Sequence, residues 1–120
     1  MSHTLQAIIA IGGIQRLLTS GQANTAIEGA ELIASMQELA RGRIIVMPGG
    51  GVTEKNVAKL VRLTGVREVH FSLRKTQAST MQYRASGVYM GGALRPDEFS
   101  VSVADPSRVH AAAQALVARL

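Results

Sequence analysis

The fold of this chain is constrained most by three short, strand-like segments that recur at a regular spacing. They are centred near Leu17, Ile45 and Val69, about 24 to 28 residues apart. A segment with helical periodicity lies in each gap. This alternation is typical of parallel α/β folds, in which a helix connects neighbouring strands. The spacing therefore predicts an α/β fold with parallel strands.

Both gaps carry signals for the start of a helix. Thr25 and Glu28 form the T-x-x-E pattern of a capping box, which predicts a helix that begins near Ala26 and ends at Gly42. In the second gap, Thr53 is the expected N-cap. We therefore expect one amphipathic helix between each pair of strands.

The two ends of the chain have patterns of their own. Residues 5–11 predict a short helix, and Asp105-Pro106 predicts the start of a closing helix. Residues 74–97 are rich in Ser, Thr and Gly and are expected to form a loop that contains a short strand at 88–90. A further short strand is expected after the loop, at 101–103.

Length and composition limit the class of protein. A chain of 120 residues, 47% apolar and without cysteine, fits one globular domain over residues 1–120. The lack of cysteine excludes disulfides and thiolate zinc sites within this sequence. Only four aromatic residues are present, which argues against a nucleic-acid partner bound by base stacking.

The sequence carries no signal for export or membrane insertion. Residues 1–6 lack the pattern of a signal peptide, and the longest apolar stretch, residues 7–14, is too short to cross a bilayer. We therefore expect a cytoplasmic protein with no membrane partner.

The strongest local motif is the triple-glycine turn that follows the second predicted strand. Gly49, Gly50 and Gly51 separate that strand from Thr53. Glycines let a ligand approach the backbone closely, and free N–H groups before a helix suit an anion. The alternative is a tight β-α turn that binds nothing.

Basic and hydroxyl residues extend this predicted anion site. The net charge is +5, concentrated in the middle of the chain, and such a patch attracts anions. Ligands of parallel α/β folds bind at the carboxyl ends of the strands. The predicted anion-binding residues are Ser20, Gly49, Gly50, Gly51, Thr53, Arg74 and Arg84.

The third predicted strand places three polar residues on one face. Glu68, His70 and Ser72 alternate with apolar neighbours. His70 is therefore a candidate metal ligand or acid–base group. The alternative is a structural histidine that only donates and accepts hydrogen bonds. No second histidine lies close to it on the same element.

Several motifs together resemble the CutC family of copper homeostasis proteins. They are RLLTSGQ at 16–22, IVMPGGGV at 45–52 with Asn56, EVHFS at 68–72, STMQYR at 79–84, VYMG at 88–91 and EFS at 98–100. Their order and spacing extend over nearly the whole chain. Ala85 departs from the pattern, because the family usually has Asn there.

The resemblance implies a TIM-type (β/α) barrel, of which this chain would supply the sixth, seventh and eighth strands. It also implies a cytoplasmic role in copper homeostasis, with copper as the ligand and no assigned reaction, so we do not expect an enzyme. A complete barrel needs about 250 residues. We therefore expect a partial barrel, without the cysteines of the family's early strands, whose open strand edges favour homo-oligomers.

Two further functions stay open beside copper handling. One is a barrel protein of unassigned reaction that binds phosphate or another small anion at the triple-glycine turn. The other is a truncated, inactive barrel fragment.

Overall fold

The computed structural model describes residues 2–82 and 100–118. The elements, in chain order, are α1 (Ser2–Ile11), β1 (Arg16–Thr19), α2 (Ala30–Ala40), β2 (Ile45–Pro48), α3 (Val57–Thr64), β3 (Arg74–Ala78), β4 (Ser100–Ala104) and α4 (Pro106–Val117). Strands and helices alternate through the first two thirds of the chain, as the spacing predicts.

The first two strands form the predicted parallel pair. Arg16 lies opposite Ile45, and Thr19 lies opposite Pro48. A further bond at the carboxyl end, from the Gly49 N–H to the Thr19 carbonyl at 2.9 Å, extends this register into the glycine turn. The predicted α/β class and the parallel β1–β2 arrangement are therefore confirmed.

The third predicted strand, residues 68–73, is not a strand. It lies beside β2 and makes one backbone bond to it, from the His70 N–H to the Pro48 carbonyl at 2.9 Å. Proline has no N–H with which to return a ladder bond. The segment ends at Leu73, which has a left-handed φ of 44°. That backbone turn takes the chain out of the parallel layer.

The chain then enters a second, antiparallel sheet. β3 pairs with β4, with Arg74 opposite Ala104 and Ala78 opposite Ser100. The expected loop over 74–97 is therefore wrong for its first five residues, while the strand expected at 101–103 is confirmed. The strand expected at 88–90 lies outside the described residues. All five β3 residues are exposed, so β3 lacks the buried alternation that marks a strand in a sequence.

Both predicted central helices begin later than expected. The Glu28 N–H donates to the Thr25 hydroxyl at 3.3 Å, but a turn follows and α2 begins only at Ala30. The N-cap of α3 is Asn56 rather than Thr53, because the Asn56 side chain fixes a separate turn ahead of the helix. The terminal helices are confirmed, and Asp105 caps α4 by accepting from the Ser107 N–H at 3.0 Å.

The core lies on one face of the parallel strands. Its largest fully buried side chains include Leu5, Ile33, Met36, Val46 and Leu60, contributed by α1, α2, β2 and α3. The opposite face is much less covered, and Leu18 on β1 is 53% exposed. Over residues 2–82 and 100–118, none of the helices has the length and apolar character needed to cross a membrane.

Candidate functional site

A cleft of about 530 Å³ opens beyond the carboxyl end of β2. Its walls come from the glycine turn, the segment before β3, β4 and α4. The lining residues are Gly50, Gly51, Val52, Thr53, His70, Phe71, Ser72, Leu73, Arg74, Ser102 and Arg108. The structure therefore brings five of the predicted site residues to one place: two of the three glycines, Thr53, His70 and Arg74.

The glycine turn is fixed by Asn56, which follows it. The Asn56 side chain accepts from the Thr53 N–H at 2.8 Å and donates to the Gly51 carbonyl at 2.9 Å. Gly50 and Gly51 have left-handed φ angles of 104° and 65°, which favour glycine. Their amide N–H groups donate to no acceptor within the described part of the chain. Within the described residues these two amides are therefore unpaired, whereas the Thr53 amide is paired with Asn56.

Gly49 and Ser20 support the cleft without lining it. A Cβ atom at Gly49 would lie 2.7 Å from Leu18 Cδ1 and 3.3 Å from His70 Cδ2, so the exposed Leu18 side chain would have to move to make room for one. The Ser20 hydroxyl donates to the Ala23 carbonyl at 2.7 Å, within its own turn. The predicted anion ligand Arg84 lies outside the described residues.

Arg108 is the charged residue of the cleft that sequence reasoning missed. Its Nε atom lies 3.1–3.2 Å from both carboxylate oxygens of Glu54, and its NH1 atom donates to the Arg74 carbonyl at 2.7 Å. The hydrogen bond from Arg108 lowers the pKa of Glu54 below its usual value. Because 54 positions separate the two side chains, no local pattern in the sequence indicates this pair.

The predicted polar face of residues 68–72 divides between two cavities. His70 and Ser72 line the cleft. Glu68 instead pairs with Arg16, with an Nε–Oε2 distance of 2.6 Å, and this hydrogen bond lowers the pKa of Glu68. Glu68 lines a separate cavity of about 300 Å³ together with Gly42 and Ile44. The Glu68 carboxylate is therefore paired with Arg16 and does not line the cleft that contains His70.

The folded protein is expected to lose stability in acid. The pKa values of Glu54, Glu68 and Asp105 lie below their ordinary values of 4.5, 4.5 and 3.8, mainly because of hydrogen bonds from Arg108, Arg16 and Ser107. Lowered folded pKa values stabilise the protein above the unfolded values, and this stabilisation is lost as the pH falls through the folded ones.

Urea unfolding measured between about pH 6 and pH 3 checks this expectation. The free energy of unfolding should decrease below about pH 4.5. The decrease should be smaller in the Glu54→Gln variant, because one of the three carboxylates is absent. A free energy that rises in acid would contradict the prediction.

The sequence model of the CutC family matches residues 1–75. The chain belongs to the CutC family. A CutC family protein of Treponema denticola is 50% identical over 92 residues, which cover 77% of this chain and 37% of that protein. The human copper homeostasis protein cutC homolog is 44% identical over 97 residues, which cover 81% of this chain and 36% of the human protein.

The chain spans less than half the length of these CutC relatives. A CutC family protein of Bacteroides thetaiotaomicron is 43% identical over 93% of this chain, and the match covers 45% of that protein. A crystal structure from Streptococcus agalactiae, named after the copper homeostasis protein CutC, is similar in fold. It has a TM-score of 0.52 and 34% identity, covering 57% of this chain and 33% of that one.

Proposed function

We propose that this chain acts in copper homeostasis by binding a ligand at the cleft, as part of a CutC-type barrel in the cytoplasm. The observation that carries the proposal is membership of the CutC family over residues 1–75. Relatives from human, mouse and Dictyostelium discoideum bear the name of copper homeostasis proteins.

The barrel part of the proposal rests on the parallel β1–β2 pair and on the fold of the solved relative. In a (β/α)8 barrel, ligands bind at the carboxyl ends of the strands. The cleft lies at that end of β2. We therefore place β1, β2 and residues 68–73 at the positions of the sixth, seventh and eighth strands. The exposed β1 side chain Leu18 lies on the face that further barrel units, or a second copy, would cover.

The described residues do not by themselves fit a copper site. Cu(I) prefers thiolate and thioether sulfur ligands, and copper also takes imidazole. His70 offers one exposed imidazole, and no group of three His, Cys, Asp or Glu residues that could hold a metal occurs in the described ranges. A copper ion at His70 would therefore need ligands from outside the described residues.

Direct copper binding is tested by titrating the chain with Cu(I) against a competing chelator. If His70 is a ligand, His70→Ala should weaken retention by roughly tenfold or more, because even partners of metal ligands matter to that extent. His110→Ala, an exposed histidine on α4, is the matched control. Equal retention by all three proteins would remove His70 from the proposal. The role in homeostasis is tested independently by expressing this chain in cells that lack their own CutC gene and measuring whether copper tolerance is restored.

A second candidate function is the binding of a small anion in the same cleft. The observation that favours it is that Arg74 and Arg108 line the same cleft as Gly50 and Gly51, whose amides donate to no acceptor among the described residues. No carboxylate pairs with the Arg74 guanidinium among residues 2–82 and 100–118. Backbone amides and guanidinium groups are common ligands of phosphate.

Phosphate titration monitored by calorimetry tests the anion site. Arg74→Gln is expected to weaken phosphate binding roughly threefold to tenfold, because a charge-assisted hydrogen bond is lost. Arg62→Gln removes an equal charge from an exposed position in the last turn of α3, and phosphate binding should be unchanged. Equal weakening in both variants would indicate a general charge effect and contradict a site at Arg74.

A further inference from the structure

Arg108 differs from the other basic residues of the cleft because its guanidinium is already held in place. Two of its nitrogens contact the Glu54 carboxylate, and NH1 contacts the Arg74 carbonyl. The side chains of Arg108 and Glu54 are only 31% and 20% exposed. Glu54 itself does not line the cleft, whereas Arg108 does. The carboxylate therefore holds the guanidinium from outside the ligand space.

The hydrogen bonds of Arg108 within the described residues leave some of its N–H donors unused, and these can bind a ligand. A guanidinium has five N–H donors in a fixed planar fork. Nε uses its single N–H on the two Glu54 oxygens, and NH1 uses one N–H on the Arg74 carbonyl. NH2 lies 3.1 Å from Glu54 Oε2 as an ion-pair contact and donates no hydrogen bond within the described residues. Three donors remain, one on NH1 and two on NH2. Because the side chain is ordered before the ligand arrives, little further entropy is lost on binding.

We infer that Arg108 is the principal anion-binding side chain of the cleft, and that the group it binds is a phosphate, together with the Gly50 and Gly51 amides. This inference rests on the proposed anion-binding function. Paired N–H donors of arginine match two oxygens of a phosphate. Arg74, held by no described carboxylate, adds the second positive charge.

The size of the cleft indicates that the phosphate belongs to a larger molecule. About 530 Å³ lies in the range of small-molecule sites. Besides the cations, the lining includes the hydroxyls of Thr53, Ser72 and Ser102, which suit a hydroxyl-bearing ligand. Free phosphate is the other source of the same group.

The test is made on the intact chain and uses the two ion pairs found among residues 2–82 and 100–118 as probe and internal control. Arg108 and Arg16 each bind one glutamate through Nε, but only Arg108 lines the cleft. When inorganic phosphate is titrated into the unmodified protein, the NMR signals of the Arg108 Nε–H and of the Gly50 and Gly51 amides should shift together. The Arg16 Nε–H signal should not move.

Two variants measure how much Arg108 contributes. Arg108→Lys keeps the charge but loses the fork, so the Kd for phosphate should rise roughly tenfold or more. Arg16→Lys makes the same change in the other ion pair and should leave the Kd unchanged. If Arg108→Lys does not fold, the shifts in the unmodified protein still decide the question.

The outcomes separate this inference from the function on which it rests. Shifts at Gly50 and Gly51 without a shift at Arg108 would overturn the role of Arg108 and leave the anion site intact. No shift at any of them would overturn both. Tighter binding of glycerol 3-phosphate than of inorganic phosphate would identify a phosphorylated small molecule as the source, and equal binding would identify free phosphate.

Discussion

Replacing Leu60 by alanine is expected to lower the free energy of unfolding by about 2–5 kcal/mol. Leu60 lies on α3, is fully buried, and belongs to the apolar core cluster that also contains Ile33, Met36 and Val46. The truncation removes buried methyl groups and leaves a cavity that the surrounding helices fill only in part. So large a loss is a substantial fraction of the stability of a small domain.

Leu63→Ala is the matched control for this prediction. Leu63 lies on the same helix, three residues away, and is 49% exposed. Its truncation should cost well under half as much, because most of the removed surface already contacts water. Urea unfolding of the three proteins, followed by circular dichroism, gives both values. Equal losses would mean that α3 does not pack through Leu60 as described.

Replacing Gly21 by alanine is expected to cost at least about 2–4 kcal/mol, and it can prevent folding altogether. Gly21 has a left-handed φ of 72° in the turn after β1. An added Cβ would overlap the Gly29 carbonyl oxygen and lie 2.8 Å from Gly29 Cα. Both are backbone atoms, which cannot rotate away. The turn after β1 would therefore separate from the chain entering α2.

Gly42→Ala distinguishes this overlap from backbone strain alone. Gly42 has nearly the same φ, 77°, but an added Cβ would meet no atom within 4 Å. Gly42→Ala should lower the free energy of unfolding only by the cost of placing alanine in a left-handed conformation, about 1–2 kcal/mol. Thermal unfolding of both variants checks the difference. Similar melting temperatures for the two would show that β1 and the start of α2 do not approach as closely as described.

Much of the fold was predictable because its signals are local. The apolar runs around Leu17 and Ile45 are separated by a helical stripe, and a parallel pair follows from that order. The glycine turn was recognisable as a ligand-binding candidate for the same reason: it directly follows a strand and precedes a helix. Gly50 and Gly51 do line the cleft.

The parts that sequence reasoning missed depend on residues far apart in the chain. β3 is fully exposed and forms through its pairing with β4, so its own residues carry no strand pattern. The predicted third strand fails at Pro48, which has no N–H for the ladder, and at Leu73, where the backbone turns. Asn56, rather than Thr53, occupies the N-cap position of α3, and its side chain bonds back to the preceding turn instead of to the helix.

The sequence by itself determined the α/β order, the family and the glycine turn, because periodicity and turn chemistry are written in consecutive residues. The tertiary structure decided which charges face the cleft. It separated Glu68 from His70 by pairing it with Arg16, and it brought Arg108 to Glu54 beside Arg74. These contacts join residues more than thirty positions apart, and only folding fixes the distance between them.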